Sequence, residues 1–223
     1  MAKTVIHDEQ GNAKWGESDH LEISQNRSFA SLIFELLSEK VPSEQELKIF
    51  ELILNISIDH GPDTLSAIET IKSAKDGKTI SEGVASGILQ INDSHGGAQE
   101  KLMEILYGVK SSELKVQSLV AEYIKEEKKM PGFGHRIYKD IDPRTKLILS
   151  KLTEFGMGSE FIKIAKELES ELNSRIGKQL PLNIDGAIAV VLCTFGWDSK
   201  LGKAVFIIAR TPGLCGQFLN NTN

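Results

Sequence analysis

Met130-Pro-Gly-Phe-Gly-His-Arg-Ile-Tyr-Lys-Asp-Ile-Asp-Pro-Arg144 is the stretch that decides how the rest of the chain is read. Pro131, Gly132 and Gly134 argue against a continuous helix through it, so the backbone turns sharply here. The turn presents His135 beside the cationic side chains of Arg136, Lys139 and Arg144, and Lys128 and Lys129 lead into it. So many charges with so little apolar bulk have no obvious use in a core. A proton donor beside a cluster of cations is suited to holding an anion.

Outward from this turn the pattern is helical on both sides. Downstream, Pro143 to Phe155 and Ser159 to Ile176 are amphipathic, with Ile162, Ala165, Leu168 and Leu172 as one stripe and Gly177 as the stop. Asn183 to Cys193 and Leu201 to Arg210 are the most apolar segments and read as central buried helices, the second ending at Arg-Thr-Pro-Gly213. Upstream, helical spacing covers Ala98 to Tyr107, Ser112 to Glu127, Asp63 to Ala74 and Thr79 to Ile91. Further back, Phe29, Leu32, Ile33, Leu36 and Leu37 share a face, and Ser43-Glu-Gln-Glu46 is a capping box for the helix that follows. Residues 1–26 read as an irregular lead-in or a short hairpin. The expected fold class is all-α.

The bulk composition narrows the function. A chain of 223 residues with 40% hydrophobic content buries a sizeable core in one domain or two small lobes. A net charge of −5 and a pI near 5.6 argue against a nucleic-acid surface, which needs a strong basic stripe. No apolar run approaches roughly 18 residues and no signal-peptide or transit pattern opens the chain, so a soluble, cytoplasmic protein without a membrane contact is expected. Cys193 and Cys215 sit in apolar contexts without metal-type spacing and read as free thiols.

Three histidines occupy glycine-bounded corners: Asp59-His60-Gly61, Ser94-His95-Gly96-Gly97 and Gly134-His135-Arg136. One such histidine is more often a hydrogen-bonding residue than a catalytic one; three together shift the balance toward proton transfer near neutral pH. Asp185, at the start of a very apolar helix, reads either as an ordinary cap or as a general base held near an apolar substrate group. Arg136, Arg144 and Arg210 adjoin turn residues, and an arginine closing an apolar helix costs desolvation unless its planar fork meets a carboxylate. Imidazoles, one carboxylate base and several carboxylate clamps fit carbon–carbon bond making or breaking beside a carbonyl on a polycarboxylate.

His-Gly-Gly-Ala at 95–98, Pro-Gly-Phe-Gly-His with Asp-Pro-Arg at 131–144, and Asn-Ile-Asp-Gly at 183–186 resemble the citrate synthase superfamily in order and spacing. Asp-His-Gly-Pro at 59–62 and the His135-Arg136 pair look more like citryl-CoA lyases and the C-terminal module of ATP-citrate lyase. The resemblance runs from about Ser28 to the C-terminus. It implies a large helical lobe (27–104 and 181–223) and a smaller helical lobe (105–180) with the active site in the cleft, after the lead-in at 1–26. It implies that Asp185 is the base at the acetyl α-carbon, that His95 stabilises the enol oxygen, and that His135 handles the proton on the oxaloacetate carbonyl oxygen. By the same resemblance His60, Arg144 and Arg210 bind oxaloacetate carboxylates. Lys139 lies near the CoA phosphates with Lys128 and Lys129, and Pro131, Gly132, Phe133 and Gly134 supply the adenine-recognising loop.

The activity so implied is citryl-CoA lyase, with a CoA thioester as substrate, no tightly bound cofactor, no metal, and a homodimer as the expected assembly. Citrate or alkylcitrate synthase is the same chemistry in the other direction, and a silent family member acting as a subunit is a third reading. A metal-dependent hydrolase on His60, His95 and His135 lacks a two-histidine motif on one helix face. The chain departs from synthases in its shorter N-terminal part and in having no arginine after Arg210, which leaves Arg136 as the expected replacement clamp.

Overall fold

The computed structural model describes residues 4–92 and 96–222. It is helical, with eleven α-helices and one three-stranded sheet among the described residues, as the hydrophobic spacing predicts. The chain divides into two compact units, one ending at Glu51 and one beginning at Leu52.

The first unit opens with an antiparallel meander, β1 (Val5–His7), β2 (Ala13–Trp15) and β3 (Ser18–Asp19), in register Val5↔Trp15 and Lys14↔Asp19. Asp8 folds the first turn by accepting hydrogen bonds from the backbone nitrogens of Gln10 and Asn12, at 3.0 and 2.8 Å. Asp19 ends β3 and caps α1 (His20–Asn26), a short helix absent from the sequence expectation. No apolar stripe marks it, because none of its residues is buried. Ser28 caps α2 (Phe29–Ser38), and Ser43 with Glu46 forms the expected capping box of α3 (Glu44–Ser57), whose residues up to Glu51 belong to this unit. Phe34 and Phe50 meet edge to face at 5.4 Å, and Arg27 pairs with the buried Glu35.

The second unit holds α4 (Leu65–Lys75), α5 (Ile80–Ile88), α6 (Ala98–Lys110), α7 (Val116–Lys125), α8 (Pro143–Glu154), α9 (Ser159–Ile176), α10 (Ile184–Thr194) and α11 (Leu201–Leu219). Helix α10 is its axis: Ala187 to Leu192 are almost without exposure, as a helix apolar on every side must be. It packs against α6, α8, α9 and α11. The boundaries of α9 fall where the stripe and Gly177 place them.

Helix α11 is where the sequence expectation fails. It does not stop at Arg210 but continues through Pro212 to Leu219. A proline inside a helix loses one backbone hydrogen bond. Burial of Leu214 and Phe218 beyond it outweighs that loss. Gly213 lets this part approach its neighbour, since a Cβ there would lie 2.0 Å from the carbonyl oxygen of Ile58. Arg210 therefore sits in the middle of a helix, not at its end.

The central turn is stitched to the start of α10. Gly134 N donates to Pro181 O (2.8 Å), Asn183 N donates to Gly132 O (2.9 Å), and Asn183 Nδ2 donates to Gly134 O (2.9 Å). The approach needs glycine on both sides: a Cβ on Gly132 (φ 80°) would fall 2.5 Å from Leu102 and 3.0 Å from Gly186 Cα, and one on Gly186 would fall 2.6 Å from Gly132 O. Asn183 also caps α10 through Gly186 N, which leaves Asp185 in the first turn with no capping task. No described helix is long and apolar enough to cross a membrane.

Candidate active site

Asp142 and Arg144 anchor the first half of the site. Asp142, the N-cap of α8, is buried, and its Oδ1 accepts from both Arg144 N and Nε at 3.0 Å while Oδ2 accepts from Nη2 at 2.7 Å. Burial alone would raise this carboxyl, but the hydrogen bonds and charge of Arg144 outweigh it and hold it below the usual carboxylate range. A bidentate pair so fixed leaves the guanidinium one orientation. Its Nη1 lies 3.2 Å from His60 Nε2 and its Nη2 3.2 Å from His135 Nε2. Three sequence-predicted residues, His60, His135 and Arg144, thus meet in a row.

The tautomer of His135 follows from its other nitrogen. The backbone nitrogens of Ile137 and Tyr138 both donate to Nδ1, at 3.1 Å. Nδ1 is therefore an acceptor, and the neutral ring carries its proton on Nε2. Burial lowers the pKa of this imidazole, and Arg144 lowers it further, so the neutral form holds at physiological pH. Nε2–H and the Arg144 guanidinium are then both donors and cannot satisfy each other. An acceptor oxygen between them is held by both. Tyr138 stacks on the imidazole at 4.8 Å and also lies under Arg144, 5.6 Å from its Cζ.

Arg210 and Asp185 form the second half. Arg210 is 0% exposed; its Nε donates to Ser57 O at 2.9 Å, and its Cζ lies 4.7 Å from the ring of Phe206. Neither Nη1 nor Nη2 has a hydrogen-bond partner among the described residues. Burial lowers its pKa to about 10, with Asp59 and Asp185 opposing, so it remains a cation at neutral pH. A buried cation with two open nitrogens is costly. A carboxylate supplies what is missing.

Asp185 keeps some accessible surface but is crowded by protein, and this desolvation pushes its carboxyl up to about 6 against the pull of Arg210 and Arg144. At neutral pH it samples both protonation states, as an acid–base group must. Its Oδ1 accepts from Gln99 Nε2 at 2.9 Å.

Gln99, Phe206 and Asp142 are the residues that the sequence reading missed. Phe206 touches three parts of the site: Arg210, the ring of His60 at 6.3 Å centroid to centroid, and Gly96, where a Cβ would lie 2.2 Å from its ring. Its signal in the sequence is one helical turn of separation from Arg210. For Asp142 it is the Asp-Pro-Arg cap pattern.

The other expected residues stand as follows. His95 lies outside the described residues. Arg136 is exposed and makes no ion pair among the described residues. Lys139 Nζ donates to His135 O at 3.0 Å, closing the turn, while Lys128 is exposed and paired with Glu126 and Lys129 is exposed. Pro131 to Gly134 form the strip joined to residues 181–183. A groove of about 1020 Å³ lies between α8 and α9, lined by Lys146, Lys166 and Lys178 among others; Asp142 is its link to the site. None of His60, His135, Arg144, Asp185 and Arg210 lines that groove.

Residues 4–223 match the family model described as citrate synthase, C-terminal domain. The citrate synthase of Synechocystis sp. is 30% identical over 204 residues, covering 88% of this chain and 50% of that protein. The chain spans about half the length of the curated citrate synthases it matches. Among solved structures, citryl-CoA lyase from Hydrogenobacter thermophilus is 36% identical with a TM-score of 0.90, covering 99% of this chain and 86% of that one. ATP citrate lyase of Methanosaeta concilii, solved with (3S)-citryl-CoA, shares the fold at 22% identity and a TM-score of 0.85, covering 97% of this chain and 38% of that one.

Proposed function

This chain belongs to the citrate synthase family, and from that premise we propose that it is a citryl-CoA lyase, releasing acetyl-CoA and oxaloacetate. The observation that carries the reading is Arg210: wholly buried, cationic, and with Nη1 and Nη2 unpartnered among the described residues. Such a group calls for an anionic substrate with a planar, two-oxygen end. The direction is supported by likeness to the lyase of Hydrogenobacter thermophilus over nearly the full length of both chains.

In this reading one carboxylate of the four-carbon acid sits on Arg210 and another on the outer edge of Arg144, with His60 beside it. The oxygen at the central carbon, hydroxyl in citryl-CoA and carbonyl in oxaloacetate, faces Nε2–H of His135. The hydroxyl gives its proton to solvent water, and that hydrogen bond and the charge of Arg144 stabilise the negative oxygen from which the carbon–carbon bond breaks. The electron pair leaves on the thioester side as an enolate, and protonated Asp185 delivers a proton to its carbon. Condensation is the same path reversed, with ionised Asp185 as base. The CoA moiety lies along residues 131–134 near Lys139.

The test is a pair of assays. With citryl-CoA and coupled malate dehydrogenase, NADH oxidation reports oxaloacetate, and it is expected to be fast. With acetyl-CoA plus oxaloacetate, little free thiol is expected. The curated relatives named citrate synthase favour the opposite outcome; rapid, stoichiometric thiol release from that second mixture makes this chain a synthase and overturns the lyase reading.

A further inference from the structure

We infer that Gln99 is the positioning residue of the acid–base step, holding Asp185 so that the travelling proton is always carried on Oδ2. The inference rests on the proposed role of Asp185. Its geometric basis is independent of that role.

Gln99 lies in the first turn of α6, is 0% exposed, and reaches 86 residues along the chain to the first turn of α10. Its carbonyl Oε1 is buried without a partner among the described residues. Asp185 alone therefore sets the orientation of the amide, and Nε2 must face the carboxylate, because Oε1 at 2.9 Å would repel it. A buried glutamine that leaves one polar atom unsatisfied in order to serve one carboxylate oxygen is not ordinary packing. The space for it is made by Gly202 of α11, where a Cβ would lie 2.9 Å from Gln99 Cβ.

The consequence concerns the two oxygens of Asp185. Oδ1 is occupied by the amide N–H in the ionised form, and as the carbonyl oxygen of the acid it still accepts that bond. Oδ2 makes no hydrogen bond among the described residues. A proton taken from carbon, or given to it, is thus confined to Oδ2, and the carboxyl group does not rotate between steps. The charged groups bearing on Asp185 are Arg210 on α11 and Arg144 and Asp142 on α8. Gln99 is the neutral contact that distinguishes its two oxygens.

Gln99→Met keeps length and bulk and removes the donor. Because that donor favours the ionised form, its loss raises the Asp185 pKa. We measure the titration by NMR of the protein labelled with ¹³C at aspartate carboxyls, the Asp185 signal being assigned by its absence in Asp185→Asn. The midpoint is expected to move up by about one pH unit in Gln99→Met, with kcat for citryl-CoA lowered roughly tenfold at neutral pH and KM within about twofold. Gln99→Leu, of similar bulk and likewise without the donor, is expected to move the midpoint in the same direction, so it decides the matter if Gln99→Met does not fold. An unmoved midpoint in the folded variant overturns the role of Gln99, whatever the activity. A moved midpoint in a protein that leaves citryl-CoA intact keeps Gln99 and sinks the lyase reading instead.

Discussion

Two arginines face the same site and are held in opposite ways. Arg144 is 22% exposed at its side chain, bound along one edge by Asp142, and flanked by two histidines. Arg210 is wholly enclosed, tied to the protein through Nε alone. One is partnered by the fold; the other keeps Nη1 and Nη2 without a partner among the described residues. Desolvation amplifies an ion pair only where the protein has not already answered the charge. Arg144 is therefore a preorganised group, fixed by Asp142 between His60 and His135. Arg210, with Asp185 nearby, is the half of the site where charge is stored at a cost to stability.

That difference is tested hardest at Asp185. Asp185→Asn keeps both arginines and removes the carboxyl proposed to carry the proton, so kcat for the proposed citryl-CoA cleavage is expected to fall by on the order of 10²–10⁴-fold; turnover near that of the unaltered protein in a steady-state assay removes Asp185 from the chemistry. Next comes Arg144. Arg144→Leu leaves the Asp142 carboxylate buried without its partner, and denaturant unfolding is expected to show a loss of about 3–5 kcal/mol. A small loss there denies that the pairing with Asp142 is what fixes Arg144 in the fold.

The stored charge has a pH signature. The carboxyl of Asp185 is raised to about 6 in the folded protein from an ordinary 3.8. The folded state therefore holds this proton more tightly than the unfolded chain. Stability linked to the proton is fully present below about pH 4 and is lost as pH rises through 6, to a cost of about 3 kcal/mol above it. Asp185→Asn is expected to melt higher than the unaltered protein at pH 8 and at the same temperature at pH 4. Equal melting at both values denies the strain. The smallest effect is expected from Arg210→Leu without ligand. Removing an unsatisfied buried cation and depriving Asp59 and Asp185 of its charge oppose each other, and the net change is expected within about 1 kcal/mol of zero.

How much of this is visible in the sequence depends on whether a residue's role is local. Helix α9 and the Ser43–Glu46 capping box follow from spacing alone, because periodicity and caps are settled within a few residues. The Pro-Gly-Phe-Gly-His turn declares itself through residues that cannot stay helical. Gln99 does not, since one amide is like another until the fold carries Asp185 to it from 86 positions away. Pro212 misleads for the converse reason: the proline is local, while the burial of Leu214 and Phe218 that overrides it is not. Arg136 stands beside His135 in sequence yet is exposed, so adjacency along a turn does not give two side chains the same burial.

The central claim is that Arg210 is completed by a substrate carboxylate. Calorimetric titration of oxaloacetate into the unaltered protein and into Arg210→Leu tests it most directly, because the variant is expected to stay folded. Binding weaker by about 100-fold or more, with the melting temperature little changed, is the predicted result, in line with losing a two-point charged contact worth about 3 kcal/mol. Equal affinity in the two proteins would contradict the account, and Arg210 would then be a buried charge with no substrate to answer it.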